Sequence, residues 1–398
     1  MSDPIYTEIA KGYAEATKVA AGLKARFDAA GFDVAGISSL AELSHLPVMK
    51  KEELLTLQRE NPPFGGFLAA DPQKLSRIYV SPGPIFEPAL AGGGGHGLDM
   101  LFRSAGMTPD DIMLNTWAYH LVPAGLLFDE AAQAVGATVI PSGIGNRELQ
   151  AQIIVETGVT AICASTAFFL ALADMVIETY GRDAWKVKTA FLGGEMGDWM
   201  AKRRRIEADY GVTTWAAYAT ADLGLVGYED GGDGYVVPAD RIVQICDPVT
   251  GDAMPKGEIG EIVVTAVDAG WPMIRFGTGD SAFALETADD GRVTRISAIQ
   301  GRVGAAIKVR EIFIYPRAIE EVVIAVTGAT AGQAIVTREN DRDTLRIHLV
   351  VEEGTDHDAA SQAAARAFQK SARIRADSVE FIDTLPDDAE LLVNQKDI

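Results

Sequence analysis

The chain is poor in cysteine, histidine and positive charge, and each shortage excludes something. Two cysteines in 398 residues make neither a disulfide framework nor a cysteine metal cluster. Cys163 and Cys246 lie inside apolar runs, where a thiol packs as a small hydrophobe, and the pair suits a reducing compartment. The five histidines, His45, His96, His120, His348 and His357, show no metal-ligand spacing. Lys and Arg number 35 against 56 Asp and Glu, a net charge of −21. Without a basic surplus to neutralise phosphates, a nucleic-acid partner is disfavoured. Long hydrophobic runs are missing too. The most apolar stretch, residues 160–177, contains Ser165, Thr166 and Asp174, so no membrane partner is expected. No basic-then-apolar leader opens the chain, and a cytoplasmic protein is expected. No Gly-x-Ser-x-Gly nucleophile elbow occurs, and no internal repeat.

What remains is a large apolar fraction, 48% of residues, enough for the cores of two or three domains. Ile9, Tyr13, Val19, Leu23 and Phe27 recur at helical spacing and predict one amphipathic helix over 5–30, closed by Gly31. Its apolar face is a candidate for a homodimer contact. Ser39 before Leu40-Ala41-Glu42 reads as a capping box. From residue 111 the pattern alternates. Strands are expected at 111–116, 137–140, 161–163, 188–192 and 213–218, with helices at 123–135, 147–157, 167–180 and 198–210. Such alternation predicts a layered α/β domain with a mainly parallel sheet, whose ligands sit beyond the carboxyl ends of the strands. From about 235 to 301 short strands separated by Asp, Gly and Pro turns predict a β-rich subdomain, a distorted barrel. Beyond residue 302 a second, smaller α+β pattern begins. The expected division is therefore 1–301 and 302–398.

One stretch stands out chemically. Arg77 to Val80 reads as a strand and Leu98 to Arg103 as a helix. Between them run Ser81-Pro82-Gly83-Pro84-Ile85-Phe86-Glu87-Pro88 and then Gly92 to Gly95 and His96. A glycine-rich turn between strand and helix suits an anion, because free N–H groups and the helix N-terminus point at it. This turn has no Lys, Arg or Thr, and Glu87 repels phosphate.

Further along come Gly194-Glu195, then Tyr218-Ala219-Thr220-Ala221-Asp222, then Ile274 to Asp280, then Gly301-Arg302 and Tyr315 to Glu321. In that order and spacing the chain resembles the phenylacetate–CoA ligase branch of the adenylate-forming enzymes, from about His45 to Pro386. The resemblance implies a large N-terminal α/β domain with a β-rich subdomain and a small mobile C-terminal α+β domain. It implies ATP or AMP, Mg²⁺ and CoA or acyl-CoA as cofactors, with a small carboxylate or a CoA thioester as the other ligand. It places Asp280 on the ribose hydroxyls and Arg302 at the domain boundary, near ribose and phosphate. Tyr218 is placed against adenine beside Ala219, Thr220 near the α-phosphate, and Asp222 on Mg²⁺. Gly194 and Glu195 would line the adenine and acyl pocket, Ser81 and Gly83 the phosphate loop, and Trp117 and Tyr119 the acyl side.

The departures from the resembled pattern fall on one half-reaction. The phosphate loop of that family reads Ser-Ser-Gly-Thr-Thr-Gly-Lys-Pro; here both threonines and the lysine are replaced, the lysine by Glu87. Asp222 stands for a longer glutamate. After Leu385-Pro386 the only lysine left to serve as the C-terminal catalytic residue is Lys396. Gly304 keeps a hinge possible. Two activities follow. One is an AMP-forming acid–CoA ligase acting on an aromatic or other small acid. The other is an altered homologue, alone or as a subunit of a larger enzyme. It binds adenine nucleotide or acyl-CoA without making adenylates, or works on CoA thioesters without ATP.

Overall fold

In the computed structural model the chain divides into two compact units, Met1–Gly301 and Arg302–Ile398. The structure describes residues 4–90, 97–193, 199–303, 307–310, 312–314, 316–339, 342–372, 374–386 and 389–396.

The alternating pattern of the first unit folds as a parallel sheet. Its order is Thr138–Pro141, Ile112–Asn115, Ala161–Ser165, Thr189–Gly193, Thr213–Trp215. The helices Ala124–Ala134, Arg147–Thr157, Thr166–Tyr180 and Trp199–Tyr210 connect these strands. Central strands buried on both faces read as continuous apolar runs, and Ala161 to Ala164 is fully inside. Leu114, Ile162, Phe169 and Leu172 pack one layer, and Phe102, Met113 and Phe191 belong to another cluster.

The run 213–218, expected as one strand, is two. Thr213–Trp215 ends the parallel sheet, and Ala217–Thr220 begins an antiparallel one. That second sheet is the β-rich subdomain. Its order runs Phe276–Ala282, Gly260–Ala266, Arg241–Cys246, Val293–Ile296, Tyr235–Val236, Gly224–Tyr228, Ala217–Thr220. Ala284–Thr287 also pairs with Val293–Ile296.

The N-terminal helix is likewise two, Pro4–Ala16 and Ala21–Ala30, with Gly31 as the left-handed cap. Its apolar face does not wait for a second copy. Ile5, Tyr6, Ile9 and Tyr13 belong to the core formed with Ile262, Val264, Met273 and Phe276. Tyr13 Oη donates to Ala266 O at 2.8 Å and Met273 O at 2.9 Å. Fully burying such a side chain stabilises by about 1.5–3 kcal/mol, so this face is committed within the chain.

In the second unit, the hairpin Ala329–Glu339 and Arg342–Val351 is flanked by parallel edge strands, Leu392–Gln395 and Ser378–Phe381. The helices Arg317–Ala325 and His357–Ala372 supply Ile319, Val322, Ala364 and Phe368 to its core.

Candidate active site

Tyr218 and Asp280 come from strands far apart in the antiparallel sheet order, yet they touch. The Tyr218 phenol donates to Asp280 Oδ2 at 2.8 Å, and both residues are buried. The sheet must curl for this. A bulge aims the carboxylate. Opposite Glu261 and Val263 the partner residues are Ser281 and Gly277, so Thr278, Gly279 and Asp280 are pushed out of the ladder. Gly279 takes φ +73° there and donates its N–H to Glu261 Oε1 at 3.1 Å. Gly277 must lack a side chain, since a Cβ would stand 2.5 Å from that same oxygen. Glu261 is itself buried and paired with Lys50, which also donates to Pro248 O at 2.9 Å.

The stretch at the phosphate-loop position corrects an expectation. It is not one turn running from strand to helix. Leu75–Ser81 and Ile85–Leu90 form an antiparallel hairpin closed at Ser81 and Ile85. Gln58, on the helix Lys51–Glu60, pins it: its side chain donates to Phe86 O and accepts from Phe86 N–H, both at 2.8 Å. Arg59 donates to Gly83 O at 3.3 Å. Glu87 is not an exposed charge that repels a ligand, because it is 1% exposed. Ser81 Oγ donates to Glu87 Oε1. Burial, then the Asp222 carboxylate, push the Glu87 carboxyl up to about 8, against the opposing pull of Lys51 and Ser81. The glycines 92–95, His96, Gly194 and Glu195 lie outside the described residues.

Asp222 occupies the turn between Ala217–Thr220 and Gly224–Tyr228, closed by the pair Thr220 and Gly224. Lys51 Nζ lies 2.6 Å from Asp222 Oδ2, with the two side chains 17% and 1% exposed. Thr220 Oγ1 and Asp222 Oδ1 are buried without a hydrogen-bond partner. Ala219, between them and Tyr218, is exposed. Among the described residues no cluster of three or more His, Cys, Asp or Glu forms a metal centre.

Trp117 and Tyr119 follow the strand Ile112–Asn115, beyond the carboxyl end of the parallel sheet. Asn115 shapes this turn: its side chain accepts from Trp117 N–H at 3.1 Å and donates to Tyr119 Oη and Gly125 O, both at 2.8 Å. Tyr119 Oη donates in turn to Asp129 at 2.7 Å, and burial together with that carboxylate raises its pKa. The Trp117 ring stacks on Phe128 at 6.2 Å. Its edge lies 3.2 Å from where a Cβ of Gly193 would stand, so it reaches across Ala161–Ser165 to the end of Thr189–Gly193. The indole N–H is buried without a partner.

In the second unit Arg302 is half-buried. Lys396 lies 2.9 Å from Asp343, inside an ionic cluster where Arg338 Nε reaches the same carboxylate at 2.8 Å and Arg310 N–H at 3.0 Å. Residues 304–306 and Tyr315 lie outside the described residues.

Sequence reasoning missed Lys50, Lys51, Gln58 and Glu261. A signal was present for the two lysines. They open a helix, where the macrodipole favours acidic side chains, and consecutive lysines there call for carboxylates elsewhere.

No protein-family model matches the chain. It is 27% identical over 344 residues to phenylacetate–coenzyme A ligase of Thermus thermophilus, covering 82% of this chain and 76% of that protein. It is 28% identical over 348 residues to the enzyme of the same name from Escherichia coli, covering 83% and 78%. Among solved structures, 2-hydroxyisobutyryl-CoA ligase in complex with 2-HIB-AMP and CoA superposes with a TM-score of 0.88 at 21% identity. That match covers 99% of this chain and 89% of the other. The fold is that of the adenylate-forming ligases. No helix among the described residues is long and apolar enough to cross a membrane.

Proposed function

We propose that this chain, a phenylacetate–CoA ligase-like protein of the adenylate-forming superfamily, is an AMP-forming acid–CoA ligase for an aromatic or other small organic acid. The observation that carries this reading is the buried Tyr218–Asp280 pair, at the positions where the resemblance puts the adenosine. A carboxylate accepts two O–H donors, which suits a ribose diol. The Tyr218 phenol and the bulge at Gly279 hold Asp280 in place beforehand, so little ordering remains when the nucleotide arrives.

In the first half-reaction a substrate carboxylate oxygen attacks the α-phosphorus. The bond to the bridging oxygen breaks and pyrophosphate leaves. In the second, the CoA sulfur attacks the acyl carbon, the thiol proton goes to solvent, and AMP departs. This chain's part is chiefly placement and charge neutralisation. Thr220 faces the α-phosphate in this reading, and Trp117 with Gly193 bounds the acyl group. Asp222 fits a magnesium ligand, because its buried Oδ1 has no hydrogen-bond partner. Bound Mg²⁺ supplies the charge that offsets the triphosphate. The resemblance also assigns nucleotide-binding roles to Gly194, Glu195 and Arg302. ATP and CoA are cytoplasmic metabolites, and we assign the protein there.

The altered-homologue reading has its own support. The hairpin turn carries neither lysine nor threonine, and both Lys51 and Lys396 are held by aspartates. Acid-dependent ATP–pyrophosphate exchange across aryl, alkyl and hydroxy acids decides between them. The ligase reading expects exchange with at least one acid, and CoA-dependent AMP release with the same acid. Silence across the panel together with calorimetric binding of AMP or CoA thioesters would leave the altered homologue.

A further inference from the structure

Glu87 and Asp222 share an arrangement that the hydrogen bonds of the chain leave incomplete. Each carboxylate is anchored through one oxygen. Ser81 Oγ donates to Glu87 Oε1, and Lys51 Nζ lies 2.6 Å from Asp222 Oδ2. The other oxygens, Glu87 Oε2 and Asp222 Oδ1, are buried with no hydrogen-bond partner, and so is Thr220 Oγ1. Both acidic residues are more than nine-tenths buried, at 1% and 4% exposure. One helix links the two: in Lys51–Glu60, Lys51 pairs with Asp222 and Gln58 grips Phe86, the residue before Glu87, and the Asp222 charge acts on Glu87. Native interiors rarely leave polar atoms unsatisfied, and these three oxygens call for a missing partner.

We propose that Glu87 and Asp222 jointly bind one divalent cation, Mg²⁺ in the cell, with the Thr220 hydroxyl as a further oxygen ligand. The ion takes over the charge that a phosphate-loop lysine supplies in the resembled ligases. Hard cations take oxygen ligands, and Mg²⁺ prefers six of them. Two carboxylates and a hydroxyl leave the remaining positions to water and to phosphate oxygens. The substitution of glutamate for lysine then has a physical sense. A fixed positive side chain is replaced by a negative one that recruits a mobile positive ion. While the cation is away, Lys51 offsets the Asp222 charge and Glu87 keeps its proton up to about pH 8, so binding the cation releases that proton. Because only two carboxylates contribute, binding to the free protein is weak and tightens when phosphates join. The purpose of the ion rests on the ligase reading; its binding does not.

The test is a titration of the full chain with Mn²⁺, read as loss of the free-ion electron paramagnetic resonance signal, without nucleotide. One Mn²⁺ per chain is expected, displaced by Mg²⁺. Glu87→Gln and Asp222→Asn should each weaken it by about tenfold or more, and Thr220→Val by less. Circular dichroism checks that the variants fold. If Glu87→Gln does not, Thr220→Val and Ser81→Ala carry the comparison. No binding to the wild type at several millimolar Mn²⁺ overturns the proposal, as does equal binding by the folded variants. Pyrophosphate exchange without Mn²⁺ binding would retire the cation site and leave the ligase. Mn²⁺ binding without exchange would do the reverse.

Discussion

The phenol of Tyr218 and the carboxylate of Asp280, 62 positions apart, close the antiparallel sheet with a 2.8 Å hydrogen bond. In the ligase reading, adenosine recognition at this place needs the carboxylate directly and the phenol only as its support. Asp280→Ala should therefore lower AMP affinity by about tenfold or more, since a charged hydrogen-bonding group is worth about 1.5–3 kcal/mol. Tyr218→Phe keeps the ring and should lose less, about two- to fivefold, with a stability cost of about 1 kcal/mol. Calorimetry with AMP, alongside urea unfolding, separates the two effects. Equal losses from both variants would show that Tyr218 acts on the ligand itself.

Glu87 makes a prediction about pH. Its carboxyl is pushed up to about 8 by burial and by Asp222, whereas in the unfolded chain it ionises near the ordinary glutamate value of about 4.5. Between those values the unfolded chain gives up the proton and the folded chain keeps it. The contribution of this group to stability therefore falls as pH rises from about 4.5 to 8 and levels off outside that window. Glu87→Gln cannot ionise and should escape the loss. Urea midpoints at pH 5.5 and pH 8 should show a gap that widens in favour of the variant, by several kcal/mol at most, in buffer free of divalent cations. A gap that does not change with pH would mean that the folded protein ionises Glu87 as readily as the unfolded chain.

Much of the fold was legible because local signals agreed with the tertiary outcome. Arg147–Thr157, capped by Asn146, matches its expected limits residue for residue. The failures have physical causes. Residues 213–218 form one β-like run, and only the packing around Ala216 shows that its halves join different sheets. Ile85–Leu90 was hidden by Pro84 and Pro88. A two-stranded hairpin has only edges, and an edge tolerates a proline that lacks an N–H. At the site, Tyr218, Asp222 and Asp280 were visible as residue types at the spacing of a resembled motif. Their partners were not. Lys51 is 171 positions from Asp222, and neither periodicity nor turn chemistry reports on so distant a pair.

Lys396 tests whether the C-terminal cluster serves structure or catalysis. Burial pushes the Asp343 carboxyl up, but Arg338 and Lys396 together hold it below the ordinary range. Removing one cation from a buried carboxylate costs stability, here about 1–3 kcal/mol because Arg338 and the Arg310 N–H remain. Lys396→Ala should therefore lower the melting temperature, with the loss confined to Arg302–Ile398 in hydrogen exchange. Any fall in pyrophosphate exchange should follow that loss of fold. A hundredfold fall in exchange at unchanged melting temperature would make Lys396 a catalytic residue instead.

In the ligase reading, Trp117 sets the length of acid that the site takes. Asn115 and Phe128 fix its position, and its ring edge already meets the space above Gly193. With the acyl group bounded by this ring, as proposed, a small acid leaves the indole in place and a long one must displace it. Trp117→Ala opens that volume. For a substrate large enough to use it, each added buried methylene is worth about 0.8 kcal/mol, or roughly fourfold in kcat/KM. The ratio of kcat/KM for a long-chain acid over a short one should thus rise by about tenfold or more in the variant. The short acid should lose activity through a poorer fit. Scaling both acids down equally would place Trp117 in the scaffold and move the acyl boundary elsewhere. Trp117→Phe keeps the stack on Phe128 but lacks the indole N–H. It should retain the preference for short acids, and it separates the volume of the ring from its one unpartnered donor.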